Sequence, residues 1–164
     1  MIKVAEIPVA RVPVFNVRDK FREGEEVDGV RIARIGPIFK LRFLGKQERR
    51  IAPSRLWVQM LLAEESSSVS IVERLGNVET PMAQSWEALA LQGKGQRGYL
   101  RVDLPTVTFS FDTKGDLCSW YVRWLPEAKG WYVGATPIDS PNSLWERGAQ
   151  VLSRPPSFQM LLNN

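Results

Sequence analysis

The sequence predicts an α+β fold: one or more antiparallel sheets, a four-strand meander in the C-terminal half and about three helices. Three observations predict it. Turn residues recur about every ten positions between Tyr99 and Thr136, the spacing of hairpins. Short runs near residues 29–44 alternate apolar and basic side chains, the period of a half-buried strand. Helical spacing of apolar residues follows Ser54, Thr80 and Asp139, each of a type suited to a helix N-cap.

The elements follow in order along the chain. Ile2–Val17 reads as extended, and Pro8 and Pro13 deny it a central strand position, so it is expected as an edge strand or an arm over the body. Residues 19–28 are polar and acidic, a loop. Gly29–Ile35 alternates, breaks at Gly36-Pro37 and is followed by Ile38–Leu44. Both are read as strands, the second with Lys40 and Arg42 outward and Leu41 and Phe43 inward. Arg49–Ala52 is a third short strand. Ser54 to Glu65 is predicted as a helix carrying Leu56, Trp57, Met60 and Leu61. Ser66–Leu75 reads as β-like, with Val69, Ile71 and Val72. A second helix opens with Thr80 as N-cap and Pro81 at its first position, and carries Trp86, Leu89 and Leu91. The meander is expected over Tyr99–Leu104, Thr106–Phe111, Leu117–Leu125 and Trp131–Thr136. A last helix runs from Asp139-Ser140-Pro141-Asn142 to about Leu152 and stops at Pro155-Pro156. The 164 residues are read as one α+β domain with an extended N-terminal arm (1–17) and a C-terminal tail (153–164), and residues 76–80 offer the one candidate seam.

Composition excludes several chemistries. There is no histidine, which removes the commonest general base and every Ser–His or Cys–His nucleophile pair. With a single cysteine, Cys118, and no histidine, a tetrahedral zinc site of the usual ligands cannot be built, and neither a metal nor a cofactor is expected. No P-loop, G-x-S-x-G, H-E-x-x-H or EF-hand pattern occurs. The Asp103, Asp112, Asp116 and Lys114 cluster is better read as turn chemistry than as a nuclease centre. A non-enzymatic protein is therefore expected. The lone cysteine, the lack of a signal-like start and the lack of a long apolar run predict a cytoplasmic location without membrane contact.

The charge is uneven. The chain carries 22 basic and 18 acidic residues. Between positions 31 and 55 stand Arg31, Arg34, Lys40, Arg42, Lys46, Arg49, Arg50 and Arg55 against one acid, Glu48. Arginine accounts for 15 of the 22 basic residues, and its planar fork suits phosphate. Gly93-Lys94-Gly95-Gln96-Arg97-Gly98 spells G-x-G-x-x-G, but after a helix and before a strand, the reverse of a dinucleotide site. Its Lys94 and Arg97 could still meet phosphate. On the 117–125 strand Trp120, Val122 and Trp124 share one face, expected to be core. Tyr121 and Arg123 share the other, where with Arg101 they offer stacking and phosphate contacts of the kind used on single strands.

Two roles follow. The first is a nucleic-acid-binding accessory subunit making sequence-nonspecific backbone contacts through the basic residues of 31–55 with Lys94, Arg97, Arg101, Tyr121 and Arg123. Arg31, Arg34, Lys40, Arg42, Arg49 and Arg50 are expected to form one exposed patch. The second is an assembly subunit, as in a virus particle or an adaptor, that contacts protein neighbours through its terminal arms and could oligomerise. There the apolar Phe158, Met160, Leu161 and Leu162 beyond the diproline would be the anchor.

Overall fold

The computed structural model describes residues 1–76 and 79–155. Phe158, Met160, Leu161 and Leu162 lie outside the described residues, as does most of the tail.

The centre of the fold is a mixed eight-stranded sheet in the order β1 (Ile2–Val9), β6 (Ser54–Met60), β12 (Gln150–Ser153), β8 (Thr106–Phe111), β9 (Leu117–Leu125), β10 (Gly130–Pro137), β4 (Val30–Ile35) and β3 (Glu26–Val27). Two of its pairings are parallel, β12 with β8 and β10 with β4, so the sheet is not purely antiparallel. Two small pairs accompany it: β2 (Val12–Asn16) with β5 (Gln47–Ile51), and β7 (Glu65–Ser67) with β11 (Leu144–Glu146). Among the described residues four helices accompany the strands: α1 (Val17–Lys20), α2 (Pro37–Phe43), α3 (Ser68–Leu75) and α4 (Met82–Ala90).

Each face of the sheet buries its own cluster. One packs Leu56, Val58, Trp120, Val122, Trp131 and Leu152 against Phe21, Phe39, Phe43, Trp86 and Leu89. Phe21 sits at its middle, with ring centroids 4.9 Å from Trp86 and 5.0 Å from Phe39. The other packs Val107, Phe109 and Val151 against Ile71, Leu75 and Trp145.

Four segments differ from the sequence reading, each for a visible reason. Residues 38–44 are helical, not a strand. Gly36 is the N-cap and Pro37 the first helical residue, so the supposed Gly-Pro break is a start. Phe39 and Phe43, four apart, are both fully buried, whereas Leu41 is 79% exposed. Residues 54–60 are a strand, not a helix, because they lie between β1 and β12. Leu56 and Val58 alternate into the larger cluster while Arg55 and Trp57 stand on the other face, and the neighbouring Met60 and Leu61 supply the spacing that imitates a helix. Residues 68–75 are helical despite their valines and isoleucine. The Ser67 hydroxyl accepts from the Ser70 amide at the start, and Gly76 closes the end in the left-handed conformation. Residues 139–152 hold β11 and β12 rather than a helix, turned by Gly148 at φ +87°.

Smaller shifts accompany these. Helix α4 begins one residue later than expected, with Pro81 as its N-cap. The four-strand meander does not form, because residues 99–104 make no strand. β8, β9 and β10 do pair antiparallel in sequence, inside the larger sheet. Of the two expectations for the N-terminal segment, an edge strand or an arm over the body, β1 forms the edge strand. β1 pairs with β6 at the sheet edge and β2 pairs with β5.

Candidate nucleic-acid interface

The basic block is divided among several elements. Arg31 and Arg34 stand on β4, Lys40 and Arg42 on α2, Lys46 in the following turn, Arg49 and Arg50 on β5, and Arg55 on β6. Four of the eight are committed to acids. Lys40 bonds Glu23 at 3.1 Å, and Arg42 bonds the buried Asp112 at 2.6 Å. Lys46 lies 3.1 Å from Glu48, and Arg55 lies 3.6 Å from Glu6. The Glu23 carboxyl is held below its usual range by the Ile35 amide and by Lys40, so it stays charged beside that lysine. Arg31, Arg34, Arg49 and Arg50 are exposed and form no ion pair among the described residues. They stand on two different sheets, Arg31 and Arg34 on the large one and Arg49 and Arg50 on the β2–β5 pair.

The glycine loop follows α4, and its backbone is partly used internally. Gly93 accepts from the Trp131 indole at 3.2 Å, and Gly95 lies against the Trp124 ring. Lys94 and Arg97 point to solvent from this seat. Arg97 and Arg101 line a hollow of about 450 Å³ with Tyr99, but the Arg101 guanidinium is paired with Asp103 at 2.5 Å. That pairing holds Asp103 down to about 2.

The structure joins residues that sequence spacing could not. On β9, Trp120 and Val122 are buried in the larger cluster, so Tyr121 and Arg123 occupy the opposite face. Tyr132 on β10 stands directly across from Arg123. The same Tyr132 stands across from Arg34 on β4 through the parallel pairing. Residues paired across a ladder share a face. Arg34, Tyr132, Arg123 and Tyr121 therefore form one set over three neighbouring strands, with Arg31 further along β4. The Arg34 and Arg123 backbones lie two strand spacings apart, about 10 Å. Tyr121 and Tyr132 have ring centroids 5.9 Å apart, tilted by 37°. The Tyr121 ring is seated on Gly134, where an added Cβ would come within 2.5 Å of Cζ. Burial, with Tyr132 alongside, pushes the Tyr121 phenol up to about 12, so it is neutral wherever phosphate would be met. Tyr132 and Arg34 were not tied to Tyr121 and Arg123 by the sequence. Only register reveals them, although the alternation Val30, Ile32 around Arg31 was a signal for β4.

Two of the described elements bear on assembly. β1 is an edge strand with Ile2 and Val4 each 46% exposed, yet its pairing is irregular between Lys3 and Ala5, and it carries Lys3 and Pro8. A bulge, an edge lysine and a proline all oppose the addition of another strand. The opposite edge, β3, is two residues long.

No family model matches the chain, and neither a curated protein nor a solved structure matches it significantly.

Proposed function

We propose that the chain is a non-enzymatic binder of single-stranded nucleic acid, acting through the outer face of β4, β10 and β9. The observation that carries this reading is the register: Arg34, Tyr132 and Arg123 stand side by side on three strands, and Tyr121 adjoins Arg123. Arg34 and Arg123, exposed and in no ion pair among the described residues, can meet phosphates, and the tyrosines between them can stack on bases. The set departs from the uniform 31–55 patch. Lys40, Arg42, Lys46 and Arg55 are reserved for acids, and Arg49 and Arg50 would contribute only general attraction. The guarded β1 edge favours this reading over assembly through the N-terminal segment.

Fluorescence anisotropy of a labelled single strand across a salt series tests it. Three phosphates met by Arg31, Arg34 and Arg123 give a log–log salt slope of about −2. Arg34→Glu with Arg123→Glu should abolish binding and leave the thermal melt unchanged, since both side chains are exposed. Retained affinity in that double variant refutes the assignment of the face.

A further inference from the structure

Beside the arginine–tyrosine face lies a cleft of about 250 Å³ whose wall is shared with it. Tyr121 and Trp145 form the aromatic side, with ring centroids 5.2 Å apart and planes at 66°. Thr136, Asn142 and Glu146 form the polar side. Trp145 is fixed from behind, because its indole donates to Ser68 Oγ at 2.8 Å. The Thr136 hydroxyl is occupied in donating to Ser143 Oγ at 2.8 Å. The Asn142 carboxamide and the Glu146 carboxylate make no side-chain hydrogen bond among the described residues. The lining thus combines the Tyr121 ring and the fixed Trp145 with an amide and a carboxylate whose side chains make no hydrogen bond among the described residues.

We propose that this cleft receives one unstacked base of the bound strand and prefers a base that presents an exocyclic amino group. The proposal rests on the nucleic-acid reading of the adjoining face. Three features argue for a base as the occupant. An aromatic ring beside polar groups is the arrangement by which splayed bases are held, and here Tyr121 is the half-buried ring while Trp145 is buried behind it. Arg123, two residues from Tyr121 on the same face, is placed for the phosphate of that nucleotide. The polar groups also fix the edge chemistry. A carboxylate only accepts hydrogen bonds, so Glu146 pairs with the amino group of cytosine, and it opposes the carbonyl oxygen that thymine presents at the same position. Asn142 can donate to the neighbouring ring nitrogen of cytosine. Cytosine and thymine have the same ring size, so stacking on Tyr121 does not separate them, whereas Glu146 does.

The test uses the full chain and short labelled oligo(dC) and oligo(dT) at one salt concentration. Oligo(dC) should bind about tenfold more tightly, the discrimination of one good base-edge pair. Glu146→Gln exposes a donor as well as an acceptor and should bring the two strands to within about twofold of each other. It should do so without altering the melt, since Glu146 is exposed. Tyr121→Phe should retain binding to both strands, and Tyr121→Ala should weaken both. If both strands bind equally to the unaltered chain, or if Glu146→Gln leaves the preference intact, the base cleft is refuted while the arginine face stands. If neither strand binds, the nucleic-acid reading itself fails, and this proposal fails with it.

Discussion

Glu48 is the sole acid in the basic segment, and its position makes a strong prediction. Its side chain is buried, and its two carboxylate oxygens accept from the first backbone amides of α4, Met82 N at 2.9 Å and Ala83 N at 2.8 Å. Met82 and Ala83 are themselves fully buried, so water cannot easily replace the acceptor. Glu48→Ala therefore orphans two buried N–H groups at the positive end of the helix. Hydrogen bonds to a charged group contribute about 1.5–3 kcal/mol each, which puts the loss of two at about 3–6 kcal/mol. For a chain of this length that lowers the melting temperature by about 10 °C. Lys46, the other neighbour of Glu48, keeps a contact with the Phe111 carbonyl and does not become isolated. Glu48→Gln retains one acceptor oxygen and should lose roughly half as much. The assay is urea denaturation followed by tryptophan fluorescence, with the slope unchanged and the midpoint displaced. A loss below about 1 kcal/mol for Glu48→Ala would refute the argument that this carboxylate caps α4.

Gly134→Ala places a methyl group 2.5 Å from the Tyr121 ring, so Tyr121 must leave its seat. Single-strand affinity should fall together with the melting temperature, and a crystal structure of the variant should show the ring displaced. Burial pushes the Cys118 thiol from its ordinary 9 up to about 11. The folded protein should therefore resist a thiol reagent at about pH 8 and react only on unfolding. Because the folded value is raised, this contribution to stability is present below pH 9 and is lost as pH rises towards 11. Thermal melts of Cys118→Ser across that range should lack this component of the alkaline decline.

Much of the C-terminal sheet was legible because its turns are written in residue chemistry. Asp112 accepts from the amides of Lys114 and Asp116, as turn aspartates do, and Gly115 takes φ +83°. Trp120 and Val122 are core by simple alternation. Legibility failed where burial overrode local preference. A four-residue spacing of phenylalanines outweighed the β-character of Ile38–Leu44, and in β6 the helix-like spacing of Leu56, Trp57, Met60 and Leu61 masked a real alternation of Leu56 and Val58. In the candidate site, Tyr121 and Arg123 were readable from parity on one strand. Tyr132 could be joined to Arg34 only through a parallel pairing of segments about a hundred residues apart, which no local pattern encodes.

The place of β12 has a consequence for how the chain is made. It lies between β6 and β8, pairing with both, yet it is synthesised after either of them. Until residues 150–153 leave the ribosome, the strands that will flank them expose facing open edges. The sheet then exists as two separate halves. Closure is a late, long-range event of the slow kind that non-local strand pairing imposes. During synthesis the half-sheets are the species with edges open to other nascent chains. Slowing translation upstream of residue 150 should therefore lengthen the interval of risk rather than assist folding.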